Sequence, residues 1–459
     1  MEKPLLDARF LAAGFLLLPL ARGEGQEPTL EERLRAAEER IRRLEQELAG
    51  RRPESAPAAK SPLEAELEKL LAGTPAPSGP TGGAPSAQTG PGATILNPKI
   101  SFDILMDGAI HSRADPGLFG DHDPQERGFS IPNAELTLEN PVDPYFDAVV
   151  HAVLSVREGE TNLELEEAYA RTRSLPANLQ LLAGEFFTRF GRINAVHPHA
   201  WEFTTAPLFV PRFFGPDGSR NPGFQLSWIA PTPFFLDALV SVQQADGENA
   251  VSFLGEPGGS VGGHTLVATD TQGLRDLLAS VRVSSSTDLS PTTTALAGVS
   301  GMFGDNASGD HQRTQVYGAD FYLHWKPIEA RKGFPFVGWQ TEAAWRNYDA
   351  AADGTTGAPD ERLHDWGGYS HVAWGFTDRW TLGVRGEYAN GEGGLQRTDD
   401  PIRDRRARGS LALTYYPTEF SKLRFEYGLD RASHLDDALV SSFVVQMEFL
   451  MGQHGAHNF

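Results

Sequence analysis

Between residues 187 and 220 the chain reads FTRFGRINAVHPHAWEFTTAPLFVPRFFGPDGSR. Its polar groups are Arg189, Arg192, His197, His199, Glu202 and Arg212, set among Trp201 and many Phe. Guanidinium forks suit carboxylate and phosphate groups, and imidazole takes protons or metal ions. An exposed loop would not normally carry this much apolar surface. The segment is therefore expected to fold inward, narrow an aqueous passage and present these seven residues to it. A second set of charges alternates along 379–390, 404–417 and 420–431: Arg385, Arg406, Arg408, Lys422 and Arg424, with Arg171 and Arg173 in 161–174. Neighbouring strands lie about 4.8 Å apart, so the first five would form a basic ladder on one wall. Glu387, Glu426, Asp430, Glu164 and Glu166 interrupt the set. Like charges in a pore concentrate counterions, so a modest preference for small anionic solutes is expected.

Other chemistry finds no support. There is no GxSxG elbow, P-loop, HExxH or helix-opening GxGxxG. Asp121-His122, Asp310-His311 and His364-Asp365 read as solvated pairs rather than dyads. His197-Pro-His199 and His454/His457 each offer two donors, too few to assign a metal site. The chain has no cysteine, which excludes thiolate zinc sites, a cysteine nucleophile, disulfides and a lipidated cysteine anchor. With 61 acidic against 40 basic residues in 459, the net charge is −21, unsuited to nucleic acid. No catalytic residue and no cofactor is expected. An outer-membrane barrel enzyme, or a ligand-gated uptake receptor without a plug, is the alternative class.

The elements that must position these groups have period two. In 145–157, Phe146, Ala148, Val150, Ala152, Leu154 and Val156 alternate with Asp147, His151, Ser155 and Arg157. In 380–388, Trp380, Leu382, Val384 and Tyr388 alternate with Thr381, Arg385 and Glu387. Leu439, Phe443, Val445, Met447, Phe449 and Met451 share one parity. Apolar rows with aromatic ends opposite charged rows mark transmembrane barrel strands. Sixteen strands are expected between 98 and 451. Connections after even strands are mostly short and those after odd strands mostly long, as an outer-membrane barrel requires. The fold class is therefore all-β: a transmembrane antiparallel barrel over 96–459. Sixteen strands enclose a channel rather than a filled core. The long loops 113–127, 245–273, 304–312 and 350–361 carry net charges of −2, −4, −2 and −3, suited to divalent cations beside lipopolysaccharide.

Three segments precede the barrel. Residues 1–21, with the apolar run FLAAGFLLLPLA, read as an export signal. Leu30, Leu34, Ala37, Ile41, Leu44 and Leu48 form a heptad seam over 27–50. Arg33 and Arg40 can meet Glu38 and Glu45 of a neighbouring helix, which points to a parallel homo-oligomer, taken as a trimer. Residues 51–95 hold a short helix opening at Ser61-Pro62 and then a disordered linker rich in Pro and Gly. Both ends of an even-stranded barrel share one side, which would place the coil in the periplasm.

This plan of periplasmic coil, linker and barrel resembles the trimeric porins of the phosphate-selective O/P type and the DcaP-like group. In those porins a third loop constricts each pore, which implies a role for 187–220 in passive diffusion. The blocks LLAGEFFTRFGRINAVHPHAW (181–201) and HGAHNF (454–459) are similar to outer-membrane proteins some of which are labelled TonB-dependent. Such receptors carry a large plug inside a barrel of about 22 strands. Only about 75 residues lie between the signal and the barrel here, as coil and linker, so that label is rejected. Phe459 resembles the terminal aromatic read by the outer-membrane assembly machinery.

Overall fold

The computed structural model describes residues 98–157, 159–395 and 399–452. The export signal, the heptad seam, the linker, His454, His457 and Phe459 lie outside these residues.

Alternation does what the sequence asks of it. The first seven strands are β1 (Lys99–His111), β2 (Gly128–Pro141), β3 (Phe146–Arg157), β4 (Glu160–Thr172), β5 (Leu179–Phe187), β6 (Arg220–Ile229) and β7 (Phe235–Gln243). A hairpin comes next, β8 (Ser260–Val261) and β9 (His264–Thr265). The series resumes with β10 (Leu278–Ser290), β11 (Thr293–Asp305), β12 (Arg313–Trp325), β13 (Phe336–Ala350) and β14 (Glu361–Thr377). It ends with β15 (Trp380–Glu392), β16 (Arg406–Thr418), β17 (Ser421–Ala432) and β18 (Leu439–Gly452). All but the hairpin form one closed antiparallel barrel, in which the sixteen expected strands are the sixteen observed. Closure is by β1 on β18, from Ser101 opposite Gly452 to His111 opposite Ser442.

The faces are inverted relative to a water-soluble barrel. On β14, Trp366, Val372, Trp374 and Phe376 point out and are exposed, while Asp365, Tyr369 and His371 point in and are buried. Trp374 is 49% exposed and Asp365 5%. Trp345 of β13 lies opposite Trp366 on the outer face. Such an exterior belongs against hydrocarbon, and closure leaves no unpaired strand edge there.

Turn chemistry distinguishes the two ends. At one end the turns are mostly short. The Asp143 carboxylate closes the β2–β3 turn by accepting the backbone N–H of Tyr145 at 2.7 Å and of Phe146 at 2.8 Å. At the other end the connections are long, including 112–127, 188–219, 244–277 and 393–405. The two-residue step from β3 to β4 is the exception. Alternation does not predict the β8–β9 hairpin, because glycines break up residues 255–263. Gly262 and Gly263, with φ of 60° and 87°, supply its two-residue turn.

The pairing of β3 with β4 carries an irregularity. Its register passes from His151 opposite Glu167 to Ala152 opposite Leu165, so Glu166 is bulged. A regular strand sends consecutive residues to opposite faces. The bulge lets Glu166 and Glu167 both reach the interior. It also reconciles the inward charges Glu164 and Glu166 with Arg171, which a strict period of two cannot place on one face.

Candidate functional site

The connection 188–219 leaves β5 and returns through β6, and its neck is closed by backbone and amide bonds. Thr188 N–H donates to the Ser219 carbonyl at 2.9 Å. The Asn194 amide donates to both the Thr188 and Ser219 carbonyls and accepts from the Ser219 N–H. From this neck the loop runs inside the barrel. Phe190, Phe209, Val210, Phe213 and Phe214 are buried against Leu278, Met302, Val316, Leu363 and Tyr369, inward residues of β10 to β14. Phe209, in the short helix α1 (Phe209–Phe213), stacks on Tyr369 at 6.2 Å between ring centroids. Each such ring removed from water contributes about 1.5–3 kcal/mol, which explains why the apolar residues point inward.

Residues 199–208 have no strand partner, so their backbone groups need other ones. The wall of β15 to β17 supplies them with charges. Arg385 donates to the Thr205 carbonyl at 2.8 Å, Arg408 to Ala206 at 2.5 Å and Arg424 to Trp201 at 2.5 Å. The Lys422 ammonium donates to the His199 carbonyl. Carboxylates take the N–H groups: Glu426 from Thr204 at 2.7 Å, Asp123 from Ala206 at 2.8 Å and Glu387 from Leu208 at 2.8 Å. Glu387 and two further acids, Asp430 and Glu448, hold the cations. Glu387 lies 2.8 Å from Arg385 and 2.7 Å from Arg408, Asp430 lies 2.5 Å from Arg406, and Glu448 pairs with Lys422. The five ladder cations therefore stand on the inward face but are buried, four of them paired with carboxylates and Arg424 bonded to the Gln446 amide oxygen and the Trp201 carbonyl. Arg385, Arg408, Lys422 and Arg424 act as clamps on the loop, and Arg406 is held on the wall by Asp430, rather than standing as free charge in an aqueous lumen.

A second contact, two strands further round the barrel, is made by β2, β3 and β4 and has a different composition. His151 Nδ1 lies 2.7 Å from Glu135 Oε1, and His197 Nδ1 lies 3.0 Å from Glu135 Oε2. That same His197 nitrogen is 2.8 Å from Glu166, while its Nε2 is 3.1 Å from Glu167. His199 Nδ1 is 3.2 Å from Glu135. Nearby, His122 Nε2 is 2.7 Å from Asp217, so the reading of Asp121-His122 as a solvated pair is corrected: His122 is buried beneath the loop. Burial opposes a charge on His197, but the Glu166 and Glu135 carboxylates outweigh it and hold its pKa well above the usual range. His122 is likewise pushed up to about 9, Asp217 outweighing burial. His199 is held down by burial.

The other sequence candidates lie apart. Arg189 is partly exposed and 3.3 Å from Asp237. Arg192 sits over the Tyr322 ring at 4.3 Å, and its backbone N–H donates to Glu342. Trp201 donates to the Val196 carbonyl, and Glu202 is half-buried. Arg212 does not face a passage: it is 2% exposed and held by Asp404 at 2.5 Å and by the Pro401 carbonyl under the 393–405 loop. Arg171 and Arg173 form partly exposed pairs with Glu139 and Asp147 near the short-turn end. The sequence pattern shows neither the clamps nor the bulged Glu166–Glu167 pair. The clustering of Glu135, His151, Glu166 and His197 needs the register, which no local spacing encodes.

Comparison with known proteins gives one relative by sequence and several by fold. No family model matches the chain. An uncharacterised protein of Aquifex aeolicus (strain VF5) is 31% identical over 348 residues, covering 73% of this chain and 71% of the relative. The chain belongs to the same family as that protein. The structure is similar to the outer membrane channel DcaP of Acinetobacter baumannii, with a TM-score of 0.53 at 12% identity, covering 77% of this chain and 97% of that one. An anion-selective porin from Comamonas acidovorans aligns with a TM-score of 0.48 at 7% identity, over 77% and 99%. The chain thus has the sixteen-stranded barrel fold of outer-membrane porins.

Proposed function

We propose that the chain forms a channel in a bacterial outer membrane for passive diffusion of small water-soluble solutes, constricted by residues 188–219. The observation that carries this reading is an apolar-faced closed barrel with a loop fastened across its charged interior. The shared fold with the Acinetobacter channel supports it. The long connections face outward in this reading, and the coil of 27–50 lies in the periplasm. Homotrimer assembly through that coil, binding of lipopolysaccharide by the acidic outer loops, and recognition of Phe459 by the assembly machinery complete the proposal.

The expected anion preference loses its main support. Four ladder cations are paired with Glu387, Asp430 and Glu448, the fifth, Arg424, donates to Gln446 and the Trp201 carbonyl, and all five are buried, so they present little free charge to a permeating ion. We therefore propose weak charge selectivity. Planar-bilayer recording tests the whole reading. Stepwise conductance, without ester or peptide hydrolysis in detergent, is expected. Hydrolysis without conductance would overturn it in favour of a barrel enzyme. In a KCl gradient the reversal potential should lie near zero; a strongly anion-selective value would restore the ladder as a filter.

A further inference from the structure

We propose that the contact between the loop and β2 to β4 is a binding site for a divalent transition metal ion of the Zn2+ class, held by Glu135, His151 and His197. The donors come from two strands and the loop, and the relevant atoms of all three lie within 4.8 Å of one another. Both imidazole Nδ1 atoms face the same Glu135 carboxylate, at 2.7 and 3.0 Å. Zinc bonds to nitrogen and oxygen of about 2.0–2.2 Å place tetrahedral ligands about 3.3–3.5 Å apart, so side-chain movements of up to about 1.5 Å would seat an ion.

Two further observations point to a ligand here. Glu166 is 1% exposed, and among the described residues its carboxylate has only imidazoles beside it, His197 at 2.8 Å and His122 at 3.9 Å. Its Oε2 is 2.8 Å from the same His197 Nδ1, so it offers a fourth donor. Glu167 occupies the far side of both rings, 3.1 Å from His197 Nε2 and 3.8 Å from His151 Nε2. A carboxylate hydrogen-bonded behind a ligating imidazole, as Glu167 is behind His197, is the arrangement that orients histidine toward a metal. Among the described residues no Lys or Arg lies within 4.0 Å of the Glu135, Glu166 or Glu167 carboxylates, so their close partners are imidazoles, which a metal ion can share.

The donor set selects the ion. Calcium and magnesium want six or more oxygens, whereas mixed imidazole and carboxylate suits zinc, nickel or cobalt. A neighbouring group, His122, Glu166 and Asp217, also has donor spacing. There the Arg220 guanidinium already stands 2.9 Å from Asp217, which leaves the first group as the site. A metal bound there fastens the loop at His197, ahead of the carbonyls that the wall cations grip from His199 onward. The inference stands whether or not the barrel conducts.

The test is zinc binding to full-length protein purified in detergent and stripped with EDTA. Calorimetry and elemental analysis should show one high-affinity ion per chain, undisturbed by excess Mg2+. Co2+ in its place should give visible ligand-field absorption. His151→Ala and His197→Ala should each weaken binding more than tenfold, and Glu167→Gln on the order of 10- to 100-fold. Replacing His454 and His457 should change nothing. Absence of zinc binding and of the cobalt spectrum in the unmodified protein would overturn the proposal, with no variant needed. So would binding that survives the His151→Ala/His197→Ala pair, or that disappears with His454 and His457.

Discussion

The loop of 188–219 meets the barrel wall at two chemically unlike places. On β15 to β17, cations and carboxylates alternate, and each charge finds an opposite charge, a loop backbone group or both. On β2 to β4, three carboxylates face two loop imidazoles and His151, without a guanidinium or ammonium within 4.0 Å among the described residues. The first contact is complete as a protein-only structure. The second has its polar groups converging on a point where an ion would finish it. The difference teaches that a charged inner wall need not be a selectivity device. Charges can serve as hydrogen-bond partners for a segment that has no strand to pair with.

The largest effect is expected where one residue holds most partners. Glu387 binds Arg385, Arg408 and the Leu208 N–H at once. Glu387→Gln leaves two buried guanidiniums without their carboxylate, and breaking such a network costs about 3–5 kcal/mol. The unfolding midpoint in denaturant should fall accordingly, and channel noise should rise as residues 203–208 come loose. An unchanged midpoint with quiet channels would mean the clamps are incidental.

On the other wall the loss should be smaller. Glu135→Gln, measured without metal, removes charged partners of His151 and His197, each such bond contributing about 1.5–3 kcal/mol. The glutamine can still accept one bond, so the loss is expected near the lower figure. A cost equal to that of Glu387→Gln would erase the contrast between the walls.

The smallest effect belongs to Arg171→Ser near the short-turn end. Its pairs with Glu139 and Asp147 are about one-third exposed, and pairs of that kind contribute below about 1 kcal/mol. Neither stability nor reversal potential should shift measurably. A clear change in ion preference would place the selectivity-setting charges at this rim.

The barrel was legible because its signal is local. Rows such as Trp380, Leu382, Val384 against Thr381, Arg385, Glu387 state both strand and face, and short turns such as Pro141–Asp143 fix the order. The inward loop was legible from its Phe and Trp content alone. What it does inside was not. The carbonyls that Arg408 and Arg424 grip lie about 200 residues away in sequence, and the residue types suggested free charge equally well. Glu166 and Glu167 looked like opposite faces of one strand until the bulge brought them together. His122 looked solvated because its acid partner, Asp217, is 95 residues distant.

The claim on which the rest depends is that residues 188–219 lie across the lumen and set its width. Single-channel conductance of the intact protein against a deletion of Val196–Pro211 measures this directly, with heat-modifiable gel migration confirming a closed barrel in both. The narrowest section dominates electrical resistance, so the deletion should raise conductance several-fold. Equal conductance from two properly folded barrels would contradict the account and place the loop outside the conducting path.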